Sequence, residues 1–316
     1  MTGHSCAARL LFVVAAVFFA TTPARGEDAF KAFKQLNGTS KMPKLNAFSP
    51  NLGQTAPAQS TMKNVVLEAR LTSDSDPMQQ GLSWRVFSPI PGADGKLPLL
   101  ASAEGGSADF QLEPGDYFVN VSFGRAGVTK KLSVPREGNV DKQVLVLDAG
   151  GVLLNAVSGS DTRIPAKELK FDIYSAEVQA DGERGLVVED VKPDSIVRLG
   201  SGTYHVVSEY GSVNAVVRAD IKVEAGKLTE ATIQHRAAQI NFKLVSEAGG
   251  EAIADTAWSI LASSGDIVAE SVSAFPVMVL AEGEYTAIAR NKDKIYQKDF
   301  TVEAGHNVDV ELLLTK

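Results

Sequence analysis

The sequence predicts an all-β protein built from three tandem, seven-stranded antiparallel β-sandwich domains, placed after a signal peptide and a linker. Three observations lead to this prediction: a turn motif occurs three times, large aromatic residues recur with nearly the same period, and the apolar runs between turns are short. Alternation of apolar and polar residues is typical of strands with one buried face. Several short strands separated by turn residues, without helical periodicity, indicate a two-sheet sandwich.

The turn motif has the form Leu-x-x-Gly-x-Tyr and occurs at residues 112–117, 199–204 and 280–285. Its glycine gives the backbone the freedom that a tight turn needs. The tyrosine begins an alternating strand, and we expect its ring to be buried and its hydroxyl to bond a nearby backbone group. The predicted corner residues are Gly115, Gly202, Gly283, Tyr117, Tyr204 and Tyr285.

Upstream aromatic residues repeat in the same order. Trp84, Phe171 and Trp258 are separated by 87 and 87 residues, and the tyrosines of the turn motif by 87 and 81. A fixed period indicates one structural unit copied along the chain. We therefore predict sandwiches at residues 63–149, 150–237 and 238–316, each with one of these three aromatic side chains in its core.

The predicted sandwiches are joined directly. Residues 148–151 and 234–238 separate the last apolar run of one unit from the first of the next, and neither segment is a Gly/Ser-rich or Pro-rich spacer. Such short connections leave neighbouring domains in contact. The sequence therefore predicts a stiff, elongated array.

The N-terminal residues predict export. Residues 1–26 resemble a signal peptide, with a basic residue at Arg9, an apolar stretch at 10–20 and a small-x-small cleavage site at 24–26. Eleven apolar residues are too few for a membrane-spanning helix, which needs about 20. The only cysteine, Cys6, lies in this segment, so the mature domains would be held by packing and not by disulfides. We expect a periplasmic or secreted protein with no transmembrane segment after cleavage.

Residues 27–62 are predicted to form a short amphipathic segment followed by a linker. Phe30, Phe33 and Leu36 would share one face of a short helix. One interpretation is that this face docks on a partner; the other is that so short a helix is unstable alone. The remainder is rich in Ser, Thr, Pro, Gln and Asn, as is typical of a flexible linker.

No catalytic, cofactor-binding or metal-binding residue is predicted. Removing Arg9 and Arg25 from the 31 basic residues leaves 29 against 38 acidic ones, a net charge of −9, which argues against nucleic acid and anionic membranes as partners. The remaining histidines, His205, His235 and His306, lack metal-ligand spacing, and strand alternation would expose His205. Nucleophile-elbow and phosphate-loop motifs are absent. The sequence thus predicts a protein that is not an enzyme.

The Leu-Glu-Pro-Gly-Asp-Tyr form at residues 112–117 resembles the signature of small exported sandwich modules. These are the carboxypeptidase regulatory-like (transthyretin-like) group, the CnaB-type stalk modules of bacterial surface proteins and the PEGA domains. The resemblance implies an immunoglobulin-like or prealbumin-like fold. It also implies roles in structural spacing, in adhesion and in binding to envelope polymers or proteins.

The same resemblance implies two chemical features. CnaB-type stalks often have a Lys–Asn isopeptide bond between the first and last strands, for which Lys243 and Asn307 are the matching pair here. Transthyretin-like hydrolases end in Tyr-Arg-Gly-Ser, whereas this chain ends in Leu-Leu-Leu-Thr-Lys.

The sequence therefore predicts an exported, non-catalytic structural or protein-binding repeat protein of the bacterial cell envelope. Its partner would be an envelope protein or polysaccharide. The alternative function is that of a carbohydrate-binding accessory protein of the envelope.

Overall fold

The computed structural model describes residues 62–314. The predicted signal peptide, the linker and the face formed by Phe30, Phe33 and Leu36 lie outside the described residues. The described residues belong to one compact unit of the chain. They form 22 β-strands and one short 3-10 helix, Ala166–Glu168. The predicted all-β fold of tandem sandwiches is confirmed.

The first sandwich has two sheets, ordered β4-β1-β7 and β3-β2-β5-β6. Its strands are β1 (Lys63–Arg70), β2 (Leu82–Phe87), β3 (Leu99–Gly105), β4 (Ala108–Leu112), β5 (Gly115–Phe123), β6 (Ala126–Val134) and β7 (Gln143–Val146).

The second sandwich repeats this arrangement, with sheets β12-β8-β15 and β11-β10-β13-β14, and a two-residue strand β9 paired with β8. Its strands are β8 (Ala149–Ser158), β9 (Thr162–Arg163), β10 (Leu169–Val178), β11 (Arg184–Val191), β12 (Ile196–Gly200), β13 (Gly202–Tyr210), β14 (Ala215–Val223) and β15 (Leu228–His235).

The third sandwich has sheets β19-β16-β22 and β18-β17-β20-β21. Its strands are β16 (Ala237–Val245), β17 (Thr256–Ala262), β18 (Ile267–Val272), β19 (Val277–Ala281), β20 (Gly283–Asn291), β21 (Lys294–Val302) and β22 (Val308–Leu313).

One strand pair in each sandwich differs from the antiparallel pattern that the sequence predicts. The first and last strands pair in parallel: β1 with β7, β8 with β15, and β16 with β22. The other pairs among the described strands are antiparallel. Because the first and last strands run in the same direction, the chain enters each sandwich at one end and leaves it at the opposite end.

Three clusters of buried apolar side chains fill the spaces between the sheets. Trp84, Phe171 and Trp258 are fully buried, one in each cluster, because each lies on the inward face of an alternating strand. Each indole N–H donates to a backbone carbonyl that follows the adjacent edge strand, β3 or β18. Trp84 Nε1 donates to the carbonyl of Gly106 at 2.8 Å, and Trp258 Nε1 to that of Ser273 at 3.0 Å.

At the second join, some residues of one sandwich belong to the cluster of its neighbour or pack against it. Ala237 closes the second cluster, which also contains Val279 of β19, while Val213 packs against the third cluster. Neighbouring cores are thus continuous in part, and the domain borders at 149/150 and 237/238 remain a prediction.

Truncation of a core aromatic should unfold its sandwich at lower denaturant concentration. We expect Trp84→Ala to lower the free energy of unfolding by about 3–5 kcal/mol, because it removes apolar burial and leaves a cavity. Leu100→Ala is the control: Leu100 is 53% exposed, and a surface change of this kind costs within about 0.5 kcal/mol. Urea titration followed by circular dichroism measures both. Equal effects of the two changes would contradict the assigned core.

Candidate functional site

The two joins between sandwiches share one contact, made by the turn between the fifth and sixth strands of the seven-strand repeat. In the first sandwich this turn follows β5, and Arg125 N donates to the carbonyl of Arg198 on β12 at 3.0 Å. Gly124 precedes it with φ of +64°, and a Cβ added there would lie 2.7 Å from Arg198 Cβ. In the second sandwich the turn follows β13, where a Cβ on Gly211 (φ +70°) would lie 2.6 Å from Val279 Cβ on β19. Real Cβ atoms do not approach so closely, so each joint requires glycine at this position.

A second contact recurs on the other side of each joint. It is made by the turn before the last strand of the later sandwich. Gly226 N donates to the carbonyl of Ala149 at 2.8 Å, and Gly305 N to that of Ala237 at 2.9 Å, so each turn is bonded to the residue that begins its own sandwich. A Cβ on Gly226 would lie 3.0 Å from Thr72 Cγ2 of the first sandwich. A Cβ on Gly305 would lie 2.9 Å from the Cα of Gly159. Each joint is therefore closely packed at two glycine turns, and at the first joint the bond from Arg125 N also crosses between the sandwiches.

At the second joint, the Asn214 side chain bonds the next sandwich with both of its polar atoms. Its Nδ2 donates to the Tyr285 hydroxyl at 3.0 Å, and its Oδ1 accepts from Ala281 N at 2.9 Å. The sequence analysis did not identify Asn214, because nothing in a linear pattern shows which turn residue meets the next domain.

The three motif tyrosines make the same bond in each sandwich. Tyr117, Tyr204 and Tyr285 donate to carbonyls four residues earlier in the chain, at 2.8, 3.0 and 2.9 Å. Gly115, Gly202 and Gly283 begin the strands on which these tyrosines lie. Tyr285 is buried, while Tyr117 and Tyr204 are half-buried. The corner thus closes the turn before the strand, and in the third sandwich it also reaches the joint through Asn214.

His235 is the one described histidine that the structure buries. Its Nε2 lies 2.7 Å from the Ser208 hydroxyl, its ring meets Tyr210 edge-on, and its Nδ1 is buried without a hydrogen-bond partner. Burial lowers the pKa of His235 to about 4, because a protonated ring would place a second N–H where no acceptor exists. His205 is not exposed as expected: it is half-buried and its Nδ1 lies 2.7 Å from Asp220.

Lys243 and Asn307 are not brought together. Lys243 lies opposite Glu311 in the β16–β22 register, and Lys243 Nζ is 2.7 Å from Glu311 Oε1. Asn307 Oδ1 instead accepts from Gln239 N at 2.9 Å. The hydrogen bond from Gly249 N and the pairing with Lys243 lower the pKa of Glu311. An ion pair between the first and last strands therefore stands where the resemblance implied a covalent bond.

Residues 62–314 contain no group of three or more His, Cys, Asp or Glu side chains placed to hold a metal ion. Within the same residues, no helix is long and apolar enough to cross a bilayer.

Comparison with known proteins gives one family match. The model of the Rhizobiales growth-associated tandem repeat domain matches residues 239–314, which lie in the third sandwich. No curated protein matches the chain.

Several solved structures are similar over long stretches at low identity. The Bacillus anthracis TIE protein is 15% identical with a TM-score of 0.24, over 81% of this chain and 50% of that one. The minor pilin GBS52 of Streptococcus agalactiae is 14% identical with a TM-score of 0.31, over 55% and 95%. The streptococcal ancillary pilin is 12% identical with a TM-score of 0.29, over 79% and 98%.

The chain spans half the length of the Bacillus anthracis protein. At these identities and TM-scores the similarity says nothing about function. The tandem β-sandwich fold that the resemblance implies is confirmed by the strand order.

Replacing the joint glycine should loosen the second joint. Gly211→Ala places a Cβ against Val279, which has to move. Gly138→Ala is the control: Gly138 also has a positive φ (+80°), but no heavy atom lies within 4 Å of the added Cβ, so the change adds backbone strain alone. We expect Gly211→Ala to destabilise by about 1–3 kcal/mol more than its control, as overpacking does. The Ala281 amide donates to Asn214 Oδ1 across the joint. Its hydrogen exchange should therefore accelerate in Gly211→Ala and stay unchanged in Gly138→Ala. Equal exchange in both variants would contradict a tightly packed joint.

Acidification should destabilise the second sandwich through His235. Its pKa falls from 6.5 in the unfolded chain to about 4 in the fold, so the unfolded state binds the proton first as the pH drops. The stability is complete above pH 6.5, decreases between pH 6.5 and about 4, and has lost about 3 kcal/mol below that range. Denaturant titrations at several pH values should show this loss in the wild type relative to His235→Gln. A parallel pH profile in the two proteins would refute the assignment.

Proposed function

We propose that the chain is an exported, non-catalytic structural or protein-binding repeat protein of the bacterial cell envelope, working in the periplasm or outside the cell. Its three sandwiches, at residues 63–149, 150–237 and 238–316, would act as a stiff spacer that presents binding surfaces at fixed distances. The N-terminal segment would direct export, and the face of Phe30, Phe33 and Leu36 would be a further docking element.

The observation that supports this proposal most is the repeated joint. Neighbouring sandwiches contact through glycine turns on two sides of each joint, so that rotation at the joint would force these close backbone approaches apart or into collision. A flexible linker would leave the domains free to move independently. Fixed joints are what a spacer needs, and they have no evident use in a chain of independent enzymes. The match to a family of Rhizobiales tandem repeats supports a bacterial origin.

The exposed apolar residues favour protein partners over polysaccharides. Among the large apolar side chains that the structure exposes in residues 62–314, aliphatic residues dominate and Phe275 is the one aromatic. Sugar binding usually relies on flat aromatic surfaces, whereas aliphatic patches rimmed by polar groups are typical of protein contacts.

Site-specific crosslinking in cells tests this proposal. A photoreactive residue at Leu100 or Val272, on the edge strands β3 and β18, should give discrete crosslinks to envelope proteins. The same residue at Lys131 or Lys294, on the opposite edges β6 and β21, serves as the matched control and should give few. Polysaccharide adducts alone would favour the carbohydrate-binding alternative, and measurable turnover of an envelope substrate by the purified chain would overturn the proposal.

A further inference from the structure

The two edges of the four-stranded sheet in the third sandwich differ in charge. The β21 edge includes Lys294 and Lys298, and lysine on an edge strand discourages pairing with another chain. The β18 edge has no such protection: residues 244–289 contain seven acidic residues and no lysine or arginine. Strand β18 pairs with β17 on one side, and no described strand pairs with its other side.

A cleft of about 530 Å³ borders this unpaired edge. It lies between the edge strands β18 and β19 and reaches the second sandwich at Gly211 and Glu168. Its apolar wall includes Phe275 and Val277, which are 46% and 52% exposed. The cleft is therefore open to a ligand, and it offers an apolar surface beside free backbone groups.

The ionisable residues that line the cleft are both glutamates, Glu168 and Glu270. Glu168 Oε1 is 3.3 Å from Lys167 Nζ, but Glu168 Oε2 is buried and has no hydrogen-bond partner. An unsatisfied buried carboxylate oxygen is costly, and a donor placed in the cleft would remove that cost. A basic side chain is the donor that matches this carboxylate, whereas Glu270 Oε1 accepts from Ser259 Oγ at 3.3 Å.

A second groove of about 530 Å³ lies on the outer face of the same sheet. Its lining includes Val272 and Ile295, which are 79% and 67% exposed, together with Arg290 of β20. Glu270 and Ser271 of β18 border both this groove and the cleft. Because successive side chains of a strand point to opposite faces, a strand added beside β18 would direct alternate side chains to the two sides.

We propose that the β18 edge binds an extended segment of a partner protein as an added strand. Alternate side chains of this segment are apolar and lie toward the outer groove. The side chains between them lie toward the cleft, where a lysine or arginine reaches Glu168. Main-chain hydrogen bonds supply affinity and the alternating side chains supply selectivity, as in other cases of strand addition. This inference rests on the proposed function and specifies its partner: an extended, basic and apolar segment.

Peptide titration tests the proposal. The probe is an acetylated and amidated nonapeptide of alternating lysine and valine, added to the protein comprising residues 27–316 and followed by fluorescence anisotropy and by amide chemical shifts. We expect saturable binding with shifts concentrated in β18, β19 and around Glu168. Replacing the lysines by glutamate, or placing proline at alternate positions to remove backbone donors, should abolish binding.

Charge reversal on the edge supplies the matched comparison. Glu270→Lys should weaken binding by about tenfold or more, because it replaces an acidic residue of the edge strand by one that repels a basic segment. Glu104→Lys makes the same change at an exposed position of β3 in the first sandwich and should leave binding unchanged. Glu168→Gln should weaken the lysine peptide and not an otherwise identical peptide with serine in place of lysine.

Three results would overturn the inference: equal binding of the lysine and glutamate peptides, shifts that map to β3 or β11, or a β18-mediated dimer of the chain that excludes the peptide. If peptide binding fails while Leu100 and Val272 still crosslink to envelope proteins, the proposed function stands and this site does not. If peptide binding and the crosslinks at Leu100 and Val272 are both absent, the proposed function is refuted as well.

Discussion

The parallel pairing of the first and last strands is the constraint on which the rest of the structure depends. Because β1 and β7 run in the same direction, the chain leaves the first sandwich at the end opposite its entry and begins β8 within three residues. The connection stays bonded to the sandwich that it leaves, since Leu147 N donates to the carbonyl of Arg70 and Ala149 N to that of Leu71. The same strand, β8, then contributes Val152, Leu154 and Ala156 to the core of the next sandwich. The join is thus part of two folded domains, and it has no residues left over to act as a hinge.

Glycine at the joint is required by contact and not by backbone conformation alone. Gly124, Gly211 and Lys292 each follow the fifth strand of a sandwich, and their φ angles are +64°, +70° and +55°. A lysine therefore adopts this conformation in the third sandwich. The first two positions are glycine because the next sandwich leaves no room for a Cβ. A repeat can in this way keep one turn geometry and change a single residue according to whether another domain packs against it.

The sequence predicted what depends on local periodicity and missed what depends on register. Alternation and spacing located the strands, the buried positions of Trp84, Phe171 and Trp258, and the tyrosines whose hydroxyls close the turns. The parallel pairing of the first and last strands was missed because the composition of a strand does not depend on whether it runs parallel or antiparallel to a strand far away in the sequence. Register also decides that Lys243 meets Glu311 and not Asn307. The burial of His235 depends on which sheet β15 joins, and β15 pairs with β8 across more than 70 residues of sequence.

Each sandwich packs against a neighbouring sandwich at its ends, whereas pairing of its edge strands with other chains has to be limited. The charges on the edge strands reflect this need. The edges at β6, β14 and β21 are basic, with Lys130, Lys131, Arg218, Lys222, Lys294 and Lys298. The opposite edges expose leucine, isoleucine or valine in all three sandwiches. At β18 this unprotected edge meets Glu168, which belongs to the second sandwich and lines the cleft only because the joint holds it there. Under the proposed function, stiffness and recognition depend on each other: a joint that moved would separate the Glu168 carboxylate from the edge strand, and the proposed site would lose the group that selects a basic segment.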